Sequence, residues 1–94
     1  MDINIFESII EELIQDSNTF DSHDVIKKII WSEPVSYANL LIKHENVTNA
    51  HAEISNFLRN KSNDLHIEKV NCAHKSPDIF GNDVECALWK YIKY

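Results

Sequence analysis

From Phe6 to Leu58 apolar side chains recur at helical spacing, and beyond residue 64 that spacing gives way to short runs that fit more than one structure. A chain patterned this way has to bury one stripe of each helix against its neighbours. Phe6, Ile9, Ile10, Leu13 and Ile14 fall at i, i+3, i+4, i+7 and i+8, which predicts a first helix with Glu7, Glu11, Glu12 and Asp16 on its outer surface. The polar run from Asp16 to Thr19 ends it. Asp21 is then a good N-cap, Phe20 is placed to staple onto Val25, and Val25, Ile26, Ile29 and Ile30 form the buried stripe of a second helix. Pro34 closes that helix, because the residue before a proline is biased out of the helical region, and it suits the first position of the next. Tyr37, Leu40, Leu41 and His44 share one face of this third helix. Asn46 and Val47 read as a connection, with Thr48 capping a fourth helix that buries Ala50, Ile54, Phe57 and Leu58. Its outer face carries Asn49, Glu53, Asn56, Arg59 and Asn60.

The carboxyl-terminal third divides the reading. Leu65 to Val70 is short and imperfectly alternating, which suits a strand, and a loop near residues 73–83 holds Lys75-Ser76-Pro77-Asp78 and Gly81-Asn82-Asp83. Val84 to Ile92 fits alternation, yet Val84, Ala87, Leu88, Tyr91 and Ile92 also fit a helical stripe. The strand is preferred, because Leu65 to Val70 would otherwise have no partner. The expected fold is therefore α+β and mainly helical, with four helices followed by a C-terminal β-hairpin. The alternative is all-α, with a C-terminal helix over residues 83–93. Ninety-four residues make a single domain, 1–94.

Charge divides the chain unevenly. Residues 1–33 hold eight acidic side chains against Lys27 and Lys28, which accounts for the whole formal net charge of −6, while the remainder is balanced. Such a chain has no general attraction for phosphate or anionic lipid, and a basic protein surface is its natural match. Acids interrupt the apolar residues of the amino terminus, so no export leader is expected, and no apolar run is long enough to span a membrane. The cytoplasm is the expected location. There Cys72 and Cys86 are expected to be reduced, small buried thiols, opposite each other across the hairpin.

The order of these elements resembles a winged helix over residues 20–94, in which two helices form a helix-turn-helix, the next is presented outward and a two-stranded wing follows. The resemblance implies that the helix from Thr48 to Asn60 is the presented one, that the 73–83 loop is the wing, and that Asn49, Asn56, Arg59 and Lys75 contact duplex DNA in a transcriptional regulator. Pairing of two copies through the acidic first helix would then hide that charge. In general character the chain is also similar to small acidic immunity proteins and antitoxins, which implies a non-catalytic inhibitor occluding a basic toxin or nuclease domain. The residues expected to carry that contact are Glu7, Glu11, Glu12 and Asp16, with Trp31 and Tyr37 as aromatic anchors.

No catalytic or cofactor motif is present, and no enzymatic activity is expected. His23-Asp24 has no nucleophile tied to it by a known spacing, Ser76 before Pro77 reads as a turn residue, and one glycine cannot build a phosphate cradle. Cys72, His74 and Cys86 with His51 or His66 lack the close pairs of a structural zinc motif, so no metal site is expected.

Overall fold

The computed structural model describes residues 1–92. Asp2, in extended conformation, turns its carboxylate onto the Asn4 backbone N–H at 2.9 Å and starts α1, Ile3–Leu13. The chain then extends through a short strand, β1, Thr19–Asp21, before α2, Ser22–Ser32. Asp21 and Asp24 form a reciprocal capping box, with each carboxylate accepting the other's backbone N–H at 2.8 and 3.0 Å. Pro34 is the first residue of α3, Pro34–His44. Asn46, not Thr48, caps α4, Val47–Asn60, its side chain accepting from Asn49 N at 3.1 Å. Asparagine two residues earlier takes the cap once Glu45 bends the chain through a left-handed φ of 54°.

Two long strands complete the chain: β2, Ile67–Pro77, and β3, Asp83–Tyr91. The sheet is antiparallel in the order β1-β3-β2. The fold is thus α+β with four helices and a three-stranded antiparallel sheet. The helical alternative for 83–93 is overturned over residues 83–91, which are strand; residue 93 lies outside the described residues. A plain C-terminal hairpin is also too simple, since β1 precedes α2 and pairs with the far edge of β3. Three residues cannot display an alternation, and the partner that supplies their hydrogen bonds lies about seventy positions away, as in Phe20 opposite Trp89.

The expected 73–83 loop shrinks to residues 78–82, because β2 runs on to Pro77. This turn is held by the Asp78 carboxylate, which accepts from Phe80 N at 2.8 Å and Asn82 N at 3.0 Å, and Gly81 supplies a φ of 82°. Ser76 is accordingly a strand residue and not a turn residue. Irregularities between Lys69 and His74 shift the register, so that Cys86 faces His74 and not Cys72. Cys72 is exposed and Cys86 half-buried, which corrects the expectation of two facing, buried thiols.

The core joins all the layers: Phe6, Ile9 and Ile10 of α1, Val25, Ile26 and Ile29 of α2, Leu40 of α3, Ala50, Ile54 and Leu58 of α4, then Leu65, Ile67 and Trp89. Phe6 stacks on Phe57 of α4 with ring centroids 4.3 Å apart, fixing the first helix to the fourth. Among the described residues no helix is long and apolar enough to cross a membrane.

Candidate functional site

A groove of about 590 Å³ runs between α4 and the β2–β3 hairpin, floored by the amino end of α2. Helix α4 contributes Thr48, Ala52, Ser55, Asn56 and Arg59, residues three or four apart that form one stripe. The hairpin wall supplies Lys69, Phe80 and Glu85. Among the α4 residues that line this groove none is acidic. Glu53, expected in the middle of the outward face, is instead drawn sideways onto α3, where Lys43 Nζ and His44 Nε2 each approach its Oε1 at 2.8 Å. The hydrogen bond from Lys43, followed by that from His44, holds the Glu53 carboxyl below its usual range. The acid is therefore spent on a helix–helix contact and leaves the stripe to amides, hydroxyls and Arg59.

Arg59 donates through Nη2 to Asn56 Oδ1 at 2.6 Å, so the guanidinium and the amide are presented together. Asn49 and Lys75 are exposed but stand outside the groove lining; Lys75 faces Glu85 across the strands. Lys69 lies over the Trp89 ring at 5.5 Å from its centroid, an aromatic support for a charge at the groove wall that the sequence did not single out. His51 lies on the groove side, its Nε2 2.7 Å from the Tyr37 hydroxyl. Burial, with His23 nearby, lowers the His51 pKa against an opposing pull from Asp78, and burial raises that of Tyr37. Both shifts favour neutral partners in this hydrogen bond.

The acidic residues of α1 occupy a separate surface. Glu7 and Glu11 border a smaller cleft of about 350 Å³ together with Asp64, over an apolar floor that includes Ile10, Leu65 and Tyr91. Asp16 is exposed beyond the end of the helix. Glu12 leaves this set, because Lys28 of α2 pairs with it at 2.9 Å. The two aromatic anchors part company: Trp31 is 84% exposed, whereas Tyr37 is half-buried and bonded to His51.

A third constellation lies where β1 meets α2. Asp21, His23 and Cys86 bring their carboxylate oxygen, ring nitrogen and sulfur within 4.8 Å of one another, and His74 Nε2 stands 3.4 Å from Asp21 Oδ2. Of these, His74 and Cys86 belong to the metal-ligand candidates of the sequence, whereas Asp21 appears there as a cap and His23 as an acid/base candidate; Cys72, His51 and His66 are not part of the cluster. Compared with known protein families, curated proteins and solved structures, the chain matches none.

Proposed function

We propose that this chain is a non-catalytic, winged-helix-type reader of duplex DNA that lays α4 in the major groove with the β2–β3 hairpin against the flanking backbone. The observation that carries this reading is the outward stripe of α4, cleared of acid by the Glu53 contact to α3 and bounded on one side by the hairpin. The β1-β3-β2 sheet packed behind a three-helix run supports it, as does the position of α1 and its acids on another surface. Arg59, Lys69 and Lys75 are assigned to phosphates, and Asn56 and Asn49 to base edges, where an amide can bond adenine bidentately. A regulator in the cytoplasm would use it in this way.

Roughly three phosphate contacts give a salt slope near −3, far below that of strongly basic readers. Fluorescence anisotropy of a labelled mixed-sequence duplex at about 50 and 200 mM salt tests the reading directly. Binding that weakens with salt is expected, with Arg59→Ala reducing the slope by about one. No binding at the lower salt would overturn it.

A second reading is favoured by the grouping of Glu7, Glu11 and Asp64 around an apolar-floored cleft. In this reading the chain occludes a basic toxin or nuclease domain, with Trp31 as the exposed anchor. Complementary charge would speed association and the buried aromatic would slow release. Reversal of Glu7 and Glu11 together should flatten the salt dependence of such a complex, while Glu12, already paired with Lys28, should contribute less.

A further inference from the structure

We propose that Asp21, His23 and Cys86, with His74 as the fourth ligand, form a binding site for a zinc-class divalent cation. The four residues come from four places that the fold alone unites: the end of β1, the first turn of α2, β3 and β2. One thiolate, two imidazoles and a carboxylate make the soft-to-borderline donor set that suits zinc, whereas calcium and magnesium take oxygen.

The geometry is close to closed. Three donor atoms lie within 4.8 Å of one another, and a tetrahedral zinc site places its donors roughly 3.4 Å apart given bonds of 2.0–2.3 Å. His74 is outside that three-residue group and joins it through Asp21, whose Oδ2 its Nε2 approaches at 3.4 Å. Asp21 is suited to the role because its two oxygens are already divided: Oδ1 accepts the Asp24 N–H of the helix cap, and Oδ2 faces His74 at 3.4 Å. An ion at Oδ2 would take the place of the His74 contact without disturbing the cap. Asp21 and His23 are 5% and 8% exposed, so the donors are held in place by packing.

Support around the donors is also present. The Ser76 hydroxyl lies 2.7 Å from His23 Nδ1 and 3.7 Å from Cys86 Sγ, which fixes the imidazole as outer-shell partners do in metal sites. His23 and Cys86 line the α4–hairpin groove, which gives an ion a way in. Bound there, the ion would tie the hairpin to the start of α2 and set the width of that groove. The site stands whether or not the groove binds DNA.

The test is a titration of the purified, reduced full-length chain with Co²⁺, followed by displacement with Zn²⁺. One Co²⁺ per chain is expected, with a thiolate-to-cobalt charge-transfer band and the intense visible bands of tetrahedral geometry. Cys72→Ser should keep the band and Cys86→Ser should abolish it. His23→Gln and His74→Gln should each weaken binding by at least about tenfold, the scale that even outer-shell losses reach. Absence of a thiolate band, or a band that follows Cys72, would overturn the proposal. Because Cys86→Ser acts near the core, the unaltered chain gives a second readout: Zn²⁺ should slow alkylation of Cys86 and leave that of Cys72 unchanged. Equal rates at Cys86 with and without Zn²⁺ would equally overturn it.

Discussion

Helices α1 and α4 share the same apolar spacing and present opposite surfaces. In α1 the outward residues Glu7 and Glu11 sit together with Asp64 beside them, and among the described residues only Glu12 of these acids pairs with a lysine. In α4 the single acid, Glu53, is held by Lys43 and His44 of the neighbouring helix, so the groove-facing stripe carries amide, hydroxyl and guanidinium groups and no carboxylate. The difference lies in what stands alongside each helix. A charge on a helix is part of its outer face only when no neighbouring element claims it, and spacing within the helix does not reveal that.

The comparison can be broken most severely at the point where the two helices touch. Phe6 is fully buried and stacked on Phe57, so Phe6→Ala should lower stability by about 3–5 kcal/mol in urea unfolding. Trp31→Ala, at 84% exposure, should stay within about 0.5 kcal/mol in the same assay. Equal losses would mean that α1 is not fixed to α4 as described.

Asp21→Ala should cost about 1–2 kcal/mol, because it removes the α2 cap and leaves His74 without its carboxylate. Asp21→Asn should recover most of the cap while losing the carboxylate that faces His74.

Acid titration sharpens the contrast between the two faces. The Glu53 carboxyl has a lowered folded pKa, so its contribution is present above the unfolded carboxylate range and is lost as pH falls through the folded value. His51, also lowered, acts in the same direction: its contribution is full above the unfolded histidine range and declines as pH drops through its folded value. Urea midpoints measured against pH should fall on acidification in the native chain, and the carboxylate part of that fall should be smaller in Glu53→Gln.

The smallest effects concern local strain and repulsion. Glu45→Gly relieves a left-handed φ of 54° and should raise stability by about 0.5 kcal/mol once the greater freedom of the unfolded glycine is counted. Glu11→Lys should add a few tenths of a kcal/mol by removing like-charge repulsion with Glu7. A loss in thermal denaturation of Glu11→Lys would mean that the acidic stripe is compensated after all.

The four helices, the Asp21 cap and the Pro34 junction were legible because each depends on neighbours within one or two turns. The turn between α3 and α4 forms without the glycine such turns often use, since Glu45 takes the left-handed position itself. Of the candidate site, Asn56 and Arg59 were found by helical spacing, and Lys69 was missed because its support, Trp89, comes from another strand.

Apolar periodicity and capping chemistry by themselves determined the helices and their inward faces, because those are local properties of a 3.6-residue repeat. Only the tertiary structure decided that Val84 to Tyr91 is a strand, since β1 and β2 supply its hydrogen bonds from both sides. It likewise decided that Glu53 belongs to α3's surface, that Asp21, His23 and Cys86 meet, and that His74 reaches Asp21. These outcomes depend on long-range pairing and register, whose partners are far apart in the chain and whose energies no local window contains.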